Sequence, residues 1–433
     1  MLWPETADRN ASGELSIGGV ALTCLADQYG TPLYVFDEAT VRLRAQSAVA
    51  DVQAAHPEAE AVFAAKALSI PAILSIIHEA GMGIDVVSAG ELYVALKSGI
   101  PASAVTLHGN NKGKDELRAA IDAGVGLIAV DNFYELDLLE QLAGGRSGSV
   151  EILIRLNPGI DVHTHGKIAT GVIDSKFGFP LWTGDAMAAV ERAQSIAGLS
   201  LAGYHVHLGS QLFDLNAPAL AMTLIVDFAA NVYQRLGVSP RVVSPGGGMG
   251  IAYDAGAPEA DLREWAIRTV AALTVGCQRH GLTVPRVIFE PGRSIVGQAG
   301  VAVYRVGSRK EIPGVRTYIS VDGGMADNIR PALYEARYTA EIANRKGNDD
   351  NREIVTIAGR YCESGDVLIS EIELPRLAPG DLLAMPATGA YCIPLASNYN
   401  MSPRPAVIVA NDGQSRLVRR RETFEDLLAT SVF

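Results

Sequence analysis

Short apolar, β-branched runs recur through the first two thirds of the chain, separated by stretches in which apolar residues return every three or four positions. The runs are AVFAAKA (61–67), GIDVVSA (83–89), VTLHGN (105–110), LIAVD (127–131), EILIRLNP (151–158), LAGYHVHLG (201–209), RVVSPGGG (241–248) and VIFEPGRS (287–294). Near-continuous apolar strands alternating with amphipathic helices predict a parallel sheet buried on both faces. The first four runs start at 61, 83, 105 and 127, one minimal βα unit apart. Eight such units predict a closed (β/α)8 barrel of the TIM type, and an open doubly wound sheet is the alternative. Beyond about residue 299 the texture changes to strand-like runs such as VAVYRVGSRK, TYISVDGG and PAVIVAND with turn residues between them. This predicts a C-terminal all-β domain. A lone upstream strand in GTPLYVFDE (30–38) is too early for the barrel and is expected to join that β domain. The resulting parse is an N-terminal segment over 1–37, a barrel over 38–298 and a β domain over 299–433.

In barrels of this kind chemistry sits at the C-terminal ends of the strands. Those ends carry Lys66, Asp85 with Ser88, His108, Arg155, His207 with Ser210, Gly246 to Gly248, and Glu290 with Gly292 and Arg293. Lys66 interrupts an apolar run, where an unpaired ammonium is costly. It either snorkels to solvent or is a desolvated amine kept for Schiff-base chemistry. The loops after strands seven and eight, GGGMG (246–250) and PGR (291–293), are where this architecture cradles phosphate. A reactive lysine with a phosphate cradle, and neither a Walker nor a dinucleotide fingerprint, points to pyridoxal phosphate. Glu290 would then face the pyridine nitrogen and make the ring a strong electron sink, as decarboxylation requires. His205 and His207 lie two apart and would share a strand face. No third histidine or carboxylate with metal-ligand spacing accompanies them, so a catalytic metal is not expected. His163 and His165 fall in a glycine-containing connection.

Composition narrows the field. With 36 Lys and Arg against 48 Asp and Glu among 433 residues, the formal net charge is −12, which opposes nucleic-acid and anionic-membrane partners. Hydrophobic residues at 48% fit a chain with a sizeable core, and no apolar run reaches bilayer length. The opening MLWPETADRN lacks the basic start and apolar stretch of a secretory signal. The four cysteines Cys24, Cys277, Cys362 and Cys392 have no CxxC spacing. Reduced thiols and a cytoplasmic setting are expected.

The motifs FAAKA (63–67), GIDVVSAGEL (83–92), HGNNK (108–112), IRLNPG (154–159), HTHGKIATG (163–171), SKFG (175–178) and HVHLGSQ (205–211) are joined by GGG (246–248) and EPGRS (290–294). VDGGMADNIRPALY (321–334), CESGD (362–366), GAY (389–391) and SNYN (397–400) complete the set. Together they resemble the diaminopimelate decarboxylase family, in the alanine-racemase-like (fold-type III) class of pyridoxal-phosphate enzymes, from about residue 30 to nearly the end. The resemblance implies that Lys66 forms the Schiff base, that His207 stacks on the cofactor and that Glu290 pairs with its pyridine nitrogen. It places Asp85, Ser210, Gly246, Gly247, Gly248, Pro291, Gly292, Arg293 and Tyr391 around the cofactor. It implies a substrate, meso-diaminopimelate, bound by Arg293, Arg330, Tyr334, Glu363 and Tyr391, and Cys362 as the proton donor after carbon dioxide leaves. Cys362 would reach the active site of a second subunit in a homodimer. One departure is Gly359-Arg360-Tyr361 before CESGD, where the family commonly has Gly-Pro or Gly-Lys, with a bearing on fine substrate preference. The segment His163–Thr170 is expected near the mouth of the site. The nearest rival function is decarboxylation of ornithine, arginine or a carboxylated polyamine, for which Arg330 and Glu363 would be dispensable. A racemase, a non-catalytic homologue and a metal-dependent hydrolase fit the residues less well.

Overall fold

The computed structural model describes residues 2–144, 148–160 and 170–432. Two compact units emerge, one of residues 45–250 and 259–292, the other of residues 1–44, 251–258 and 293–433.

The first unit is a closed parallel barrel. Its strands are β1 (Glu60–Ala64), β2 (Gly83–Val86), β3 (Val105–Leu107), β4 (Leu127–Val130), β5 (Val150–Asn157), β6 (Leu199–His205), β7 (Val242–Gly246) and β8 (Arg286–Phe289). Each pairs with the next, and Ile288 and Phe289 of β8 pair with Glu60 and Ala61 of β1 to close the ring. All eight expected strands are present. A two-residue strand, Phe179–Pro180, pairs parallel with Leu156 and Asn157 at the end of β5. Helices cover the connections, and their starts follow local chemistry: Pro71 opens Pro71–Glu79, while Ser88, Asn132 and Asp261 cap the next turns by accepting from Glu91, Glu135 and Glu264 N–H. Ser88 is therefore a helix cap. After β8 the helix is only four residues, Arg293–Val296.

The barrel interior explains how polar groups gather at one end. Val62, Leu127, Leu153, Ala202, Val242 and Ile288 form one apolar cluster. Strand side chains alternate faces, so two residues beyond Leu153, Val242 and Ile288 the same face carries Arg155, Ser244 and Glu290. Strand β6 keeps step through a register shift between Leu201 and Gly203, which sets His205 opposite Arg155.

The second unit is built on a mixed sheet. Its order runs Val367–Pro375, Arg352–Ala358, Arg316–Val321, Gly300–Ile312, Leu33–Asp37, Ala406–Asn411, Gln414–Arg419, and Leu382–Met385 also pairs with Gly300–Ile312. The upstream strand Leu33–Asp37 lies within this sheet, antiparallel to Gly300–Val303 and parallel to Ala406–Ala410. Leu33, Val35, Val301, Val303, Ala384 and Ile408 share its core with Leu15, Ile17 and Leu22 of the N-terminal segment.

Candidate active site

Strand β1 stops at Ala64, and Lys66 sits in the 3-10 turn Ala65–Ala67 that follows it, rather than in the strand. The turn Pro291-Gly292 lies directly against it: Ala64 N–H donates to Pro291 O at 3.1 Å. A Cβ on Gly292 would stand 3.0 Å from Ala64 Cβ, so this approach is tight for any larger residue.

Around Lys66 the barrel end holds a group of buried titratable side chains. Glu290 accepts at Oε2 from His205 Nε2 (3.1 Å) and at Oε1 from Ser244 Oγ (2.7 Å). Burial works against the Glu290 charge. The facing His205 and His108 rings and the two hydrogen bonds outweigh it, and hold the carboxyl well below its usual range. His108 Nε2 lies 3.5 Å from Glu290 and 3.8 Å from Asp85, and its ring meets the His205 ring edge-on with centroids 4.7 Å apart. Burial, with Glu290 nearby, pushes the Asp85 carboxyl well up, and Lys66 offsets part of this. Burial pushes His108 well down, so it is neutral at pH 7. Asp85 Oδ1, His108 Nε2 and His205 Nδ1 are buried without a hydrogen-bond partner among the described residues. His108, His205 and Glu290, which no spacing along the sequence groups, bring their ligand atoms within 4.8 Å of one another, and His207 is not among them. Barrel closure brings β3, β6 and β8 to one point, which spacing along the chain does not express.

His207 lies two residues past the end of β6. Burial and the Lys66 charge push its imidazole well down, so it is neutral, and its Nδ1 accepts from Gly247 N–H at 3.2 Å. The ring hydrogen is therefore on Nε2. The loop after His207 interlocks with the glycine loop: Leu212 N–H donates to Gly248 O and Gly250 N–H to Leu212 O, each at 2.9 Å. Ser210 sits half-buried within this loop. Gly246 and Gly248 have φ of +75° and +109°. A Cβ on Gly247 would lie 1.9 Å from Glu290 O, and one on Gly248 would lie 2.1 Å from Gly209 O. The glycines are thus demanded by close backbone approach, as in an anion cradle. Lys112 of HGNNK has a different role. It is buried in an ion pair with Glu135 (2.8 Å) and donates to Gly109 O and Ala129 O, which pins β3 to β4.

In the second unit, Arg293 Nη1 donates to Tyr253 OH at 2.5 Å, and its guanidinium lies 4.7 Å from the Tyr391 ring centroid. Tyr391 holds φ +62°, a left-handed conformation costly for a tyrosine and typical of functional sites. Arg330 stacks 4.6 Å from the Tyr253 centroid and donates to Tyr338 OH. Tyr338 OH in turn lies 3.6 Å from Cys392 Sγ. Burial pushes both the Tyr338 hydroxyl and the Cys392 thiol up, so both stay neutral beside two guanidinium groups. Arg330 Nε is buried without a hydrogen-bond partner among the described residues. Tyr334 ends the same short helix, Arg330–Tyr334, half-buried.

Cys362 and Glu363 form a separate group. Cys362 Sγ is exposed and lies 3.5 Å from Glu363 Oε1, 3.6 Å from Tyr399 OH and 3.7 Å from Asn400 Oδ1. Glu363 accepts from Tyr399 OH. The turn is pinned by Asp366, whose carboxylate accepts from Met325 and Tyr361 N–H. Segment 163–169, with His163 and His165, lies outside the described residues. Thr170, next to it, donates through Oγ1 to His207 O at 2.7 Å.

Sequence reasoning did not single out Ser244, Tyr253, Tyr338, Cys392 as a site residue, or Tyr399. Ser244 had a signal, as a lone hydroxyl in the apolar run RVVSPGGG. Tyr253 had less, since residues 251–258 interrupt the barrel sequence yet belong to the other unit.

An amine in the turn after β1, an ionised carboxylate after β8, unpartnered buried polar atoms at the same barrel end and a glycine loop suit pyridoxal phosphate. Comparison with known proteins agrees. Residues 42–297 match the family described as pyridoxal-dependent decarboxylase, pyridoxal binding domain. The diaminopimelate decarboxylase of Bacillus subtilis is 45% identical over 423 residues, 98% of this chain and 96% of that protein. Among solved structures, the diaminopimelate decarboxylase of M. jannaschii in co-complex with L-lysine superposes with a TM-score of 0.92 at 32% identity, covering 100% of this chain and 99% of that one. The Helicobacter pylori enzyme complexed with L-lysine gives 0.84 at 30% identity, covering 94% and 98%. Pyridoxal phosphate is accordingly the cofactor, and the chain belongs to the diaminopimelate decarboxylase family of carboxy-lyases.

Proposed function

We propose that the protein converts meso-2,6-diaminopimelate to L-lysine and carbon dioxide, the last step of lysine biosynthesis. Full-length similarity to diaminopimelate decarboxylases, 45% over 423 residues, carries this reading. Bound, pyridoxal phosphate would supply an electron sink for the carbanion left when carbon dioxide departs. Lys66 Nζ is the amine that holds the cofactor. Glu290, kept ionised by His205 and Ser244, holds a proton on the pyridine nitrogen. Asp85 lines the same end, and the neutral His207 presents its ring as a flat face. Gly246, Gly247, Gly248, Ser210, Pro291 and Gly292, with Arg293 and Tyr391, receive the phosphate end.

Diaminopimelate carries an amino-acid head at each end, so selectivity needs cations for carboxylates and a carboxylate for an ammonium. Arg293 and Arg330 supply the first and Glu363 the second, with Tyr334 and Tyr391 as hydrogen-bonding walls. Support for Arg330 is its buried, unsatisfied Nε, a donor held ready for an acceptor from outside the chain. Cys362 Sγ delivers a proton to the carbon that has lost carbon dioxide. Its exposure fits delivery into the site of a second subunit of a homodimer. In this reading residues 38–298 are the cofactor unit, with segments 1–37 and 299–433 forming the β unit. The setting is the cytoplasm; among the described residues no helix is long and apolar enough to cross a membrane.

Mixing inactive Lys66→Ala and Cys362→Ala chains tests the shared site. Mixed dimers should regain part of the activity, because one of their two sites has both groups intact. No recovery, although the subunits exchange, would remove Cys362 from the partner's site.

A further inference from the structure

The two donors to Glu290 are neighbours across a strand pair: His205 of β6 is the register partner of Ser244 of β7. Ser244 is fully buried, and its backbone carbonyl accepts from Val206 N–H at 2.8 Å, which fixes where its side chain stands. Its single hydroxyl is used twice. It donates to Glu290 Oε1 at 2.7 Å and accepts from Gly246 N–H at 3.0 Å. Between Ser244 and Gly246 comes Pro245, and strand pairing with β8 shifts register over this stretch. The chain therefore turns into the glycine loop at the point where Ser244 holds it. A second link runs in parallel, from Glu290 N–H to Gly246 O at 3.0 Å.

A hydroxyl has one hydrogen to give. Spending it on Glu290 turns the oxygen lone pairs toward Gly246 N–H, so the two bonds strengthen each other. The carboxylate assigned to the ring nitrogen and the loop assigned to the phosphate thus share one side chain. We propose that Ser244 is a positioning residue that couples the two ends of the cofactor site, setting the Glu290 carboxylate and the Gly246–Gly248 phosphate loop together. The inference rests on the reading of Glu290 and the glycine loop given above.

The test is the affinity of the full chain for pyridoxal phosphate and for pyridoxal, which lacks the phosphate, in the wild type, Ser244→Ala and Ser244→Thr. Losing a hydrogen bond to a charged group predicts pyridoxal phosphate binding weakened by about tenfold or more in Ser244→Ala. The loss for pyridoxal should be several-fold smaller, because only the Glu290 link is then felt. Ser244→Thr keeps the hydroxyl and should restore most of the difference between the two ligands. An equal loss for both ligands in Ser244→Ala would overturn the coupling, as would no loss, or a threonine variant that leaves the difference between ligands as in alanine. Glu290→Gln separates this from the underlying reading. If that variant leaves cofactor affinity and the bound-cofactor absorbance unchanged, the assignment of Glu290 to the ring fails. If it changes both while Ser244→Ala changes neither, only the coupling fails.

Discussion

Replacing Gly247 by alanine is the sharpest steric test of the cofactor site. The added methyl would stand 1.9 Å from Glu290 O and 2.7 Å from its carbonyl carbon. Ordinary contact begins at 3.4 Å, so the two backbones must separate by 1.5 Å. No flexible side chain can absorb this, because both neighbours are main chain. Separation strains the Glu290 N–H bond to Gly246 O and the Gly247 N–H bond to His207 Nδ1. It therefore moves the ring carboxylate and the imidazole face together. Displacements near 1 Å at a reacting centre cost on the order of 100-fold in rate, and overpacking costs about 1–3 kcal/mol of stability. Steady-state decarboxylation should show kcat/KM down by about 100-fold, with the protein still folded by circular dichroism. Gly292→Ala is the graded comparison. Its methyl would meet Ala64 Cβ at 3.0 Å and Ala64 O at 3.2 Å, a misfit of a few tenths of an ångström, so its loss should be several-fold smaller. A Gly247→Ala enzyme with wild-type kcat, or one less impaired than Gly292→Ala, would refute the steric reasoning.

Glu135→Gln strands the buried Lys112 ammonium and should cost about 3–5 kcal/mol in urea unfolding. The paired change Lys112→Met with Glu135→Leu should cost less than that single one, and a larger loss in the pair would contradict the buried-pair account. Burial pushes the Asp327 carboxyl up to about 6 from an ordinary value of 3.8. The folded protein therefore holds this proton more tightly, and that stabilising contribution is complete below about pH 4 and lost as pH rises through about 6. Asp327→Asn cannot lose a proton, so its stability should gain on the wild type by roughly 2 kcal/mol between pH 4 and 7; parallel stability curves would exclude Asp327 as the cause. Arg330→Lys loses the planar fork and the stacking on Tyr253, and should raise KM for diaminopimelate by about 10- to 100-fold with a smaller change in kcat. An unchanged KM would remove Arg330 from substrate binding.

Much of the barrel was legible because each strand is buried on both faces and so reads as an apolar run. The polar residues at the strand ends stand out against those runs, which is why Lys66, His207 and Glu290 could be picked from sequence. Asp85 and His108 stood out at the same strand ends, but their meeting with Glu290 did not. His108, Asp85 and Glu290 meet only because the ring closes, and His205 reaches them through a register shift near Ala202 that no local pattern announces. The turn at Lys66 is set by the packing of Pro291-Gly292 on Ala64, a contact more than 200 positions away in sequence. Tyr253 and Tyr338, which hold the two arginines, look like ordinary core aromatics along the chain, because no local spacing pairs them with Arg293 and Arg330. Cys362 was legible only through resemblance, since an exposed cysteine beside a glutamate has no signature of its own.

The most direct measurement is lysine formation by the purified protein with pyridoxal phosphate and meso-diaminopimelate, run beside ornithine, arginine and lysine as alternative substrates. Lysine and carbon dioxide are expected from diaminopimelate alone, with no product from Lys66→Ala. Silence on diaminopimelate with turnover of one of the others would contradict the assigned substrate, and undiminished activity in Lys66→Ala would contradict the assigned amine.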